Sequence, residues 1–227
     1  MQPSARTIGV VYLGYPIAAL IGTLCLRGIV VSGDAAATAA HILAHENLYR
    51  AGFAFDLAGN VIYLALTALF YEFFRPVNRS ISMIAAFCGL AGCTIQLMAE
   101  LLRIAPLVLL ENAALVSAYS PQQLQVVALF ALTLHAETLR ISYLVFAVFD
   151  LAIGYSIIKS THVPSLLGWL MMAGGVGGLT LLWPPLAVAL YYVILPLGGL
   201  AELLLMLWLV VKGRSLTSAG AAAETHV

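Results

Sequence analysis

The chain has 227 residues, of which 63% are hydrophobic and 9% charged, with ten Lys and Arg against ten Asp and Glu. Its mean hydropathy is +1.03. Soluble chains carry about 25% charged residues, so this one cannot coat a water-facing globule, and its neutral balance excludes the basic field that a nucleic acid would need.

The first element is an apolar run from Ile8 to Leu26 behind a single Arg6. It exceeds the roughly 7–15 apolar residues of a secretory signal, and no small-residue cleavage site follows, so a retained span is expected. Crossing the hydrocarbon takes about 20 apolar residues. Six segments meet that need: 8–28, 52–74, 81–104, 138–158, 165–183 and 186–211. Two more stretches, 35–49 and 122–136, read as helices too polar to cross, and are expected to lie at the interface. Asp34 is the N-cap expected for the first. Ser120-Pro121 opens the second, with Pro at the first helical position. A straight helix over 35–74 would be about 60 Å long, twice the hydrocarbon thickness, so a break is expected near Gly52. Cys25, Cys88 and Cys93 lie in apolar runs without a paired motif and read as small buried hydrophobes. The expected fold is all-α: a polytopic membrane bundle of six transmembrane helices and two short interfacial helices. One domain covers 1–212, with a disordered tail over 213–227.

Lys and Arg set the expected orientation. Arg6, Arg75, Arg79, Lys159, Lys212 and Arg214 fall on one side if the spans alternate, and Arg27, Arg50 and Arg103 on the other, with Arg140 just inside the fourth span. The short loop "RPVNRS" weighs most, and both termini are expected in the cytoplasm.

The polar residues form stripes. Asp56, Asn60, Tyr63, Thr67 and Tyr71 recur every three or four residues along the second span, which places them on one face. Gly89, Cys93, Gln96, Glu100 and Arg103 do the same on the third, and Gly89 with Gly92 would let a neighbouring helix approach closely. On the fourth span His135, Ser142 and Asp150 share a side, while Glu137 and Arg140 lie on another. The sixth carries Glu202 and a Pro196 expected to kink it. A charge at the bilayer centre costs at least about 2.5–3.5 kcal/mol, so these side chains must be paired or line a polar cavity. One reading makes Glu100–Arg103 and Glu137–Arg140 structural ion pairs. The other makes Asp56, Asn60, Gln96, Glu100, Arg103, His135 and Arg140 the lining of an outward-facing pocket, beneath the interfacial stretch "HILAHENLYRAGFAFD".

His41 and His45 stand one helical turn apart, a spacing at which two imidazoles can share a metal; with His135 they form a candidate zinc set. The H-E-x-x-H order of a zinc protease is absent. Ser142, His135 and Asp150 span four turns of one helix and cannot all touch, which excludes a nucleophilic triad. No phosphate-binding glycine motif occurs, and "GGVGG" at 174–178 reads as close helix packing.

Three blocks, "SGDAAATAAHILAHENLYRAG", "FRPVNRSISMIAAF" and "GYSIIKSTHVPSLLGWLMMAGGVG", together resemble a bacterial integral membrane family known as domain of unknown function 4386. The likeness spans about residues 5–212 and implies a six-helix protein of the bacterial cytoplasmic membrane; it carries no activity with it. The function expected from the residues is binding or translocation of a small polar or amphipathic ligand, a small molecule or a lipid, with Arg103 and Arg140 meeting an anionic part and Asp56 and Glu100 balancing them. The alternatives are an intramembrane metal-assisted hydrolase using His41, His45 and His135, and a non-catalytic accessory membrane protein in which every charge is structural.

Overall fold

A computed structural model of the chain describes residues 3–224, without the side chains of residues 184, 191, 194, 195 and 214–224. The described residues form helices and no strand. These are α1 (Ala5–Leu26), α2 (Ala35–Ala44), α3 (Glu46–Phe74), α4 (Arg79–Glu111), α5 (Ala113–Ala118), α6 (Pro121–Lys159), α7 (Ser165–Leu179) with a 3-10 turn at Thr180–Leu182, and α8 (Pro184–Glu224). Among the described residues, six helical segments are long and apolar enough to cross a membrane: Ala5–Leu26, Glu46–Phe74, Arg79–Glu111, Pro121–Lys159, Ser165–Leu182 and Pro196–Gly213. Only 28–44% of the residues in each span's most apolar window are buried. Large apolar side chains such as Phe87 and Trp169 stand exposed. In water such a surface would be untenable; in lipid it is the ordinary solvent-facing side. The tail expected from residue 213 falls mostly on residues whose side chains are not described, and residues 225–227 lie outside the described residues.

The expected starts of α2 and α6 are each held by identifiable bonds, and further bonds pin the loop before α2. Asp34 caps α2 by accepting from the Ala37 N–H at 2.8 Å. Thr38, fully buried, both donates to the Val31 carbonyl and accepts from its N–H, pinning the preceding loop to α2. That loop turns at Gly28 and Gly33, whose φ angles of 78° and 76° favour glycine. At the start of α6, Ser120 and Gln123 exchange side-chain-to-backbone bonds, a reciprocal cap that closes two free helix-end N–H groups.

Two boundaries differ from the sequence reading. The break between the interfacial helix and the second span falls at His45, with φ −122° and ψ 36°, and not near Gly52. Gly52 is instead a packing residue, because a Cβ there would lie 2.5 Å from Leu26 Cγ. The stretch 122–136 is helical, but it runs without interruption into the fourth span. At about 1.5 Å per residue, the 39 residues of α6 extend about 58 Å.

The chain divides into two compact units. The first comprises residues 1–14, 62–93 and 142–227, and the second 15–61 and 94–141. The core of the first holds Tyr12, Tyr63, Phe70, Phe146 and Phe149, packed largely edge to face. Gly89 and Gly92 serve this unit as expected: added Cβ atoms would come within 2.6 Å of Thr67 and 2.7 Å of the Phe146 ring. The second unit has an apolar cluster of Ile29, Ile42, Tyr49, Leu107 and Leu132, flanked by Leu26, Ile104 and Leu110. It also contains the charged site described next.

Candidate functional site

The site is built on Arg103 of α4. One turn earlier on the same face stands Glu100, only 2% exposed. The Arg103 Nη2 lies 3.2 Å from Asp56 Oδ2 on α3 and donates to His135 Nε2 on α6 at 2.8 Å. Arg103 Nε sits 3.1 Å from Glu100 Oε2, yet neither atom makes an aligned hydrogen bond. The charges are close, but the N–H does not point along the pair. One guanidinium thus gathers α3, α4 and α6 of the second unit.

The surrounding bonds fix chemical states. Arginine has no acceptor, so His135 Nε2 must offer a lone pair to Arg103. His135 Nδ1, 3.0 Å from the Ala99 carbonyl, therefore carries the hydrogen. The imidazole is neutral in this arrangement, with both nitrogens engaged. The Tyr49 hydroxyl donates to the Arg103 carbonyl. Asn60 donates through Nδ2 to the Asp56 carbonyl at 3.0 Å, while its Oδ1, buried, has no hydrogen-bond partner. Gln96 is buried one turn along α4 from Glu100, as Asn60 is one turn along α3 from Asp56. A layer of two amides thus accompanies the layer of two carboxylates. Gly22 of α1 makes room for Asp56, since a Cβ on it would lie 2.5 Å from Asp56 Oδ1.

With both carboxylates ionised and His135 neutral, the cluster holds one negative charge in excess. Its buried atoms without a hydrogen bond are two acceptors, Asn60 Oδ1 and Glu100 Oε2, and one donor, Arg103 Nε, which faces Glu100 Oε2 at 3.1 Å. The expectation that Arg103 meets an anionic ligand fares poorly against this geometry, because the guanidinium already faces Asp56, Glu100 and His135.

Arg140 does not join the cluster. It binds Glu137 through Nη1 at 2.8 and 3.0 Å, on a face of α6 about 140° from His135. Its side chain is 64% exposed. Arg140–Glu137 is the exposed i,i+3 ion pair that the sequence offered as its alternative.

The proposed zinc set is not assembled either. His41 and His45 stack edge to face with ring centroids 6.3 Å apart. Their Nδ1 atoms face the backbone carbonyls of Gly28 and His41, each at 3.1 Å. His135 is occupied as described, and among the described residues no three His, Cys, Asp or Glu side chains converge as metal ligands. The other charges of the "HENLYR" stretch form a tether: Arg50 pairs with Glu46 at 2.6 Å and with Glu111, at the end of α4, at 2.8 Å.

Sequence reasoning missed Tyr49, Gly22 and Glu111. Tyr49 was legible, since it precedes Asp56 by seven residues and so extends the α3 stripe by two turns. Gly22 and Glu111 carry no local signal; their roles depend on which helices meet. In the first unit, Asp150 and Glu202 are electrostatic neighbours.

Comparison with curated proteins and with solved structures gives no match. A family profile described as domain of unknown function (DUF4386) matches residues 7–213, so the chain belongs to that family.

Proposed function

We propose that this protein is a multi-pass protein of the bacterial cytoplasmic membrane that binds a small cationic ligand, an alkali-metal ion or a protonated amine, at the Arg103 cluster. One observation carries the reading: two carboxylates share a single guanidinium beside a neutral histidine, and a buried amide oxygen, Asn60 Oδ1, lacks a partner. Excess negative charge in a low-dielectric interior is costly, and a cation supplied with oxygen ligands offsets it. The Lys and Arg distribution supports cytoplasmic termini, which would turn the cluster toward the outside.

Thermal unfolding of the detergent-solubilised protein tests this at constant ionic strength, with sodium, potassium, ethanolammonium or the bulky N-methylglucamine as the only cation. A ligand at a hundredfold excess over its Kd stabilises by about 2.7 kcal/mol, or about 5–11 °C in Tm for a chain of this size. One of the small cations should raise Tm by that order over N-methylglucamine, and Glu100→Gln should abolish the rise. Equal Tm in all four salts would reject the reading.

A second reading has its own support. Arg103 reaches α3 and α6 from α4, the pattern of a structural clamp. A clamp without a ligand predicts stability that is indifferent to cation identity.

A further inference from the structure

A second site lies wholly within the first unit. The turn joining α3 to α4 and the connection from α6 to α7 border an open cleft of about 490 Å3. Its polar lining is Asn78, Tyr155, Lys159, Ser160, Thr161 and His162, and it includes no carboxylate. We propose that this cleft binds a phosphate ester anion, the group carried by phospholipid headgroups and by small soluble phosphates.

Four features converge. Lys159 makes no ion pair among the described residues; its ammonium lies 5.9 Å from the Tyr155 ring centroid, a weak partner that leaves its donors available for an anion. His162 engages its Nδ1 with Thr161 at 3.4 Å, while its backbone N–H donates to Ser160 Oγ at 3.1 Å. His162 Nε2 makes no hydrogen bond among the described residues. The cleft also adjoins the start of α4. Asn78 caps that helix by accepting from the Ile81 N–H at 3.1 Å, and the positive end of the helix dipole favours an anion there. Finally, exposed Arg79 follows Asn78 without an ion pair among the described residues, whereas Arg75 is neutralised by Glu72 at 3.1 Å. The local balance is cationic.

Position narrows the ligand. The cleft sits where the spans 46–74 and 121–159 end and those at 79–111 and 165–182 begin. Span ends mark the headgroup layer, where an amphipathic Tyr is at home. The volume suits one headgroup and not a whole lipid.

The test is native mass spectrometry of the full chain released from nanodiscs, together with thermal unfolding in detergent. The probes are phosphatidylglycerol, phosphatidylcholine and soluble glycerol phosphate. Each cation near a membrane surface contributes about 1 kcal/mol, so Lys159→Gln should lower occupancy by the best probe about fivefold. Lys159→Arg should retain it, and Arg27→Gln, an exposed control in the other unit, should leave it unchanged. Retention of phosphatidylglycerol without response to glycerol phosphate identifies a lipid as the source; stabilisation by glycerol phosphate identifies a soluble one. No retained phosphate compound, or equal losses for Lys159→Gln and Arg27→Gln, overturns the proposal. None of these outcomes depends on cation binding at Arg103.

Discussion

Removing Arg103 discriminates most sharply between an acid-rich cluster and a simple ion pair. In the native arrangement its guanidinium lies 3.2 Å from Asp56 and 3.1 Å from Glu100, and it donates to His135 at 2.8 Å. Arg103→Gln leaves two carboxylates without a counter-charge, one of them only 2% exposed. Breaking a buried pair by removing one partner costs about 3–5 kcal/mol. The Arg103 and Asp56 side chains each keep 18% exposure, which places the expected loss near the low end, about 3 kcal/mol. That corresponds to a fall of about 6–12 °C in Tm for a chain of this size. Glu100→Gln behaves differently, because it leaves Asp56 and Arg103 as a neutral pair. In the absence of a binding cation it should cost under about 1 kcal/mol. The double variant Arg103→Gln with Glu100→Gln buries one carboxylate fewer than Arg103→Gln alone, so it should be the more stable of those two. Thermal unfolding of all three in N-methylglucamine buffer gives the comparison. If Glu100→Gln costs as much as Arg103→Gln, or if the two effects add, the charge count is wrong.

Other perturbations probe the supports of the site. Tyr49→Phe removes the hydroxyl that donates to the Arg103 carbonyl and should cost about 1 kcal/mol in the same unfolding assay. Gly22→Ala places a Cβ 2.5 Å from Asp56 Oδ1 and should cost about 1–3 kcal/mol; adding Asp56→Ala should relieve part of that loss. Arg140→Gln, by contrast, should change Tm little, because its pair with Glu137 is exposed. Reporter fusions at residue 77 and at the C-terminus should both read cytoplasmic and one at residue 115 external; the reverse at 77 and 115 would refute the orientation.

The spans were legible because their signal is local: about 20 apolar residues in succession admit few alternatives. The stripes were legible for the same reason, since Asp56 to Asn60 and Gln96 to Arg103 lie on single helices whose periodicity fixes the shared face. Tertiary detail was less so. Gly52 resembles a helix breaker, but the missing Cβ is used to seat Leu26, and the chain breaks at His45 instead. Ser120-Pro121 correctly marks the start of α6, whereas nothing near residue 137 encodes the end that a separate interfacial helix would need. Arg140 shows the limit of depth arguments. Hydropathy puts it level with the cluster, but its angle around α6 points it elsewhere, toward Glu137. The third partner of Arg103 shows another limit. His135 was expected in the pocket, but its tautomer follows only from the contacts to Arg103 and Ala99.

Direct binding tests the central claim most closely. Purified wild-type protein should be equilibrated with radiolabelled sodium, with potassium and ethanolammonium as unlabelled competitors, and bound label counted beside Glu100→Gln and Asn60→Leu. Saturable binding of one small cation per chain is expected, seen either as retained label or as its displacement by a competitor, and lost in both variants. Binding that survives both substitutions, or the absence of saturable binding of any of the three cations, would contradict it.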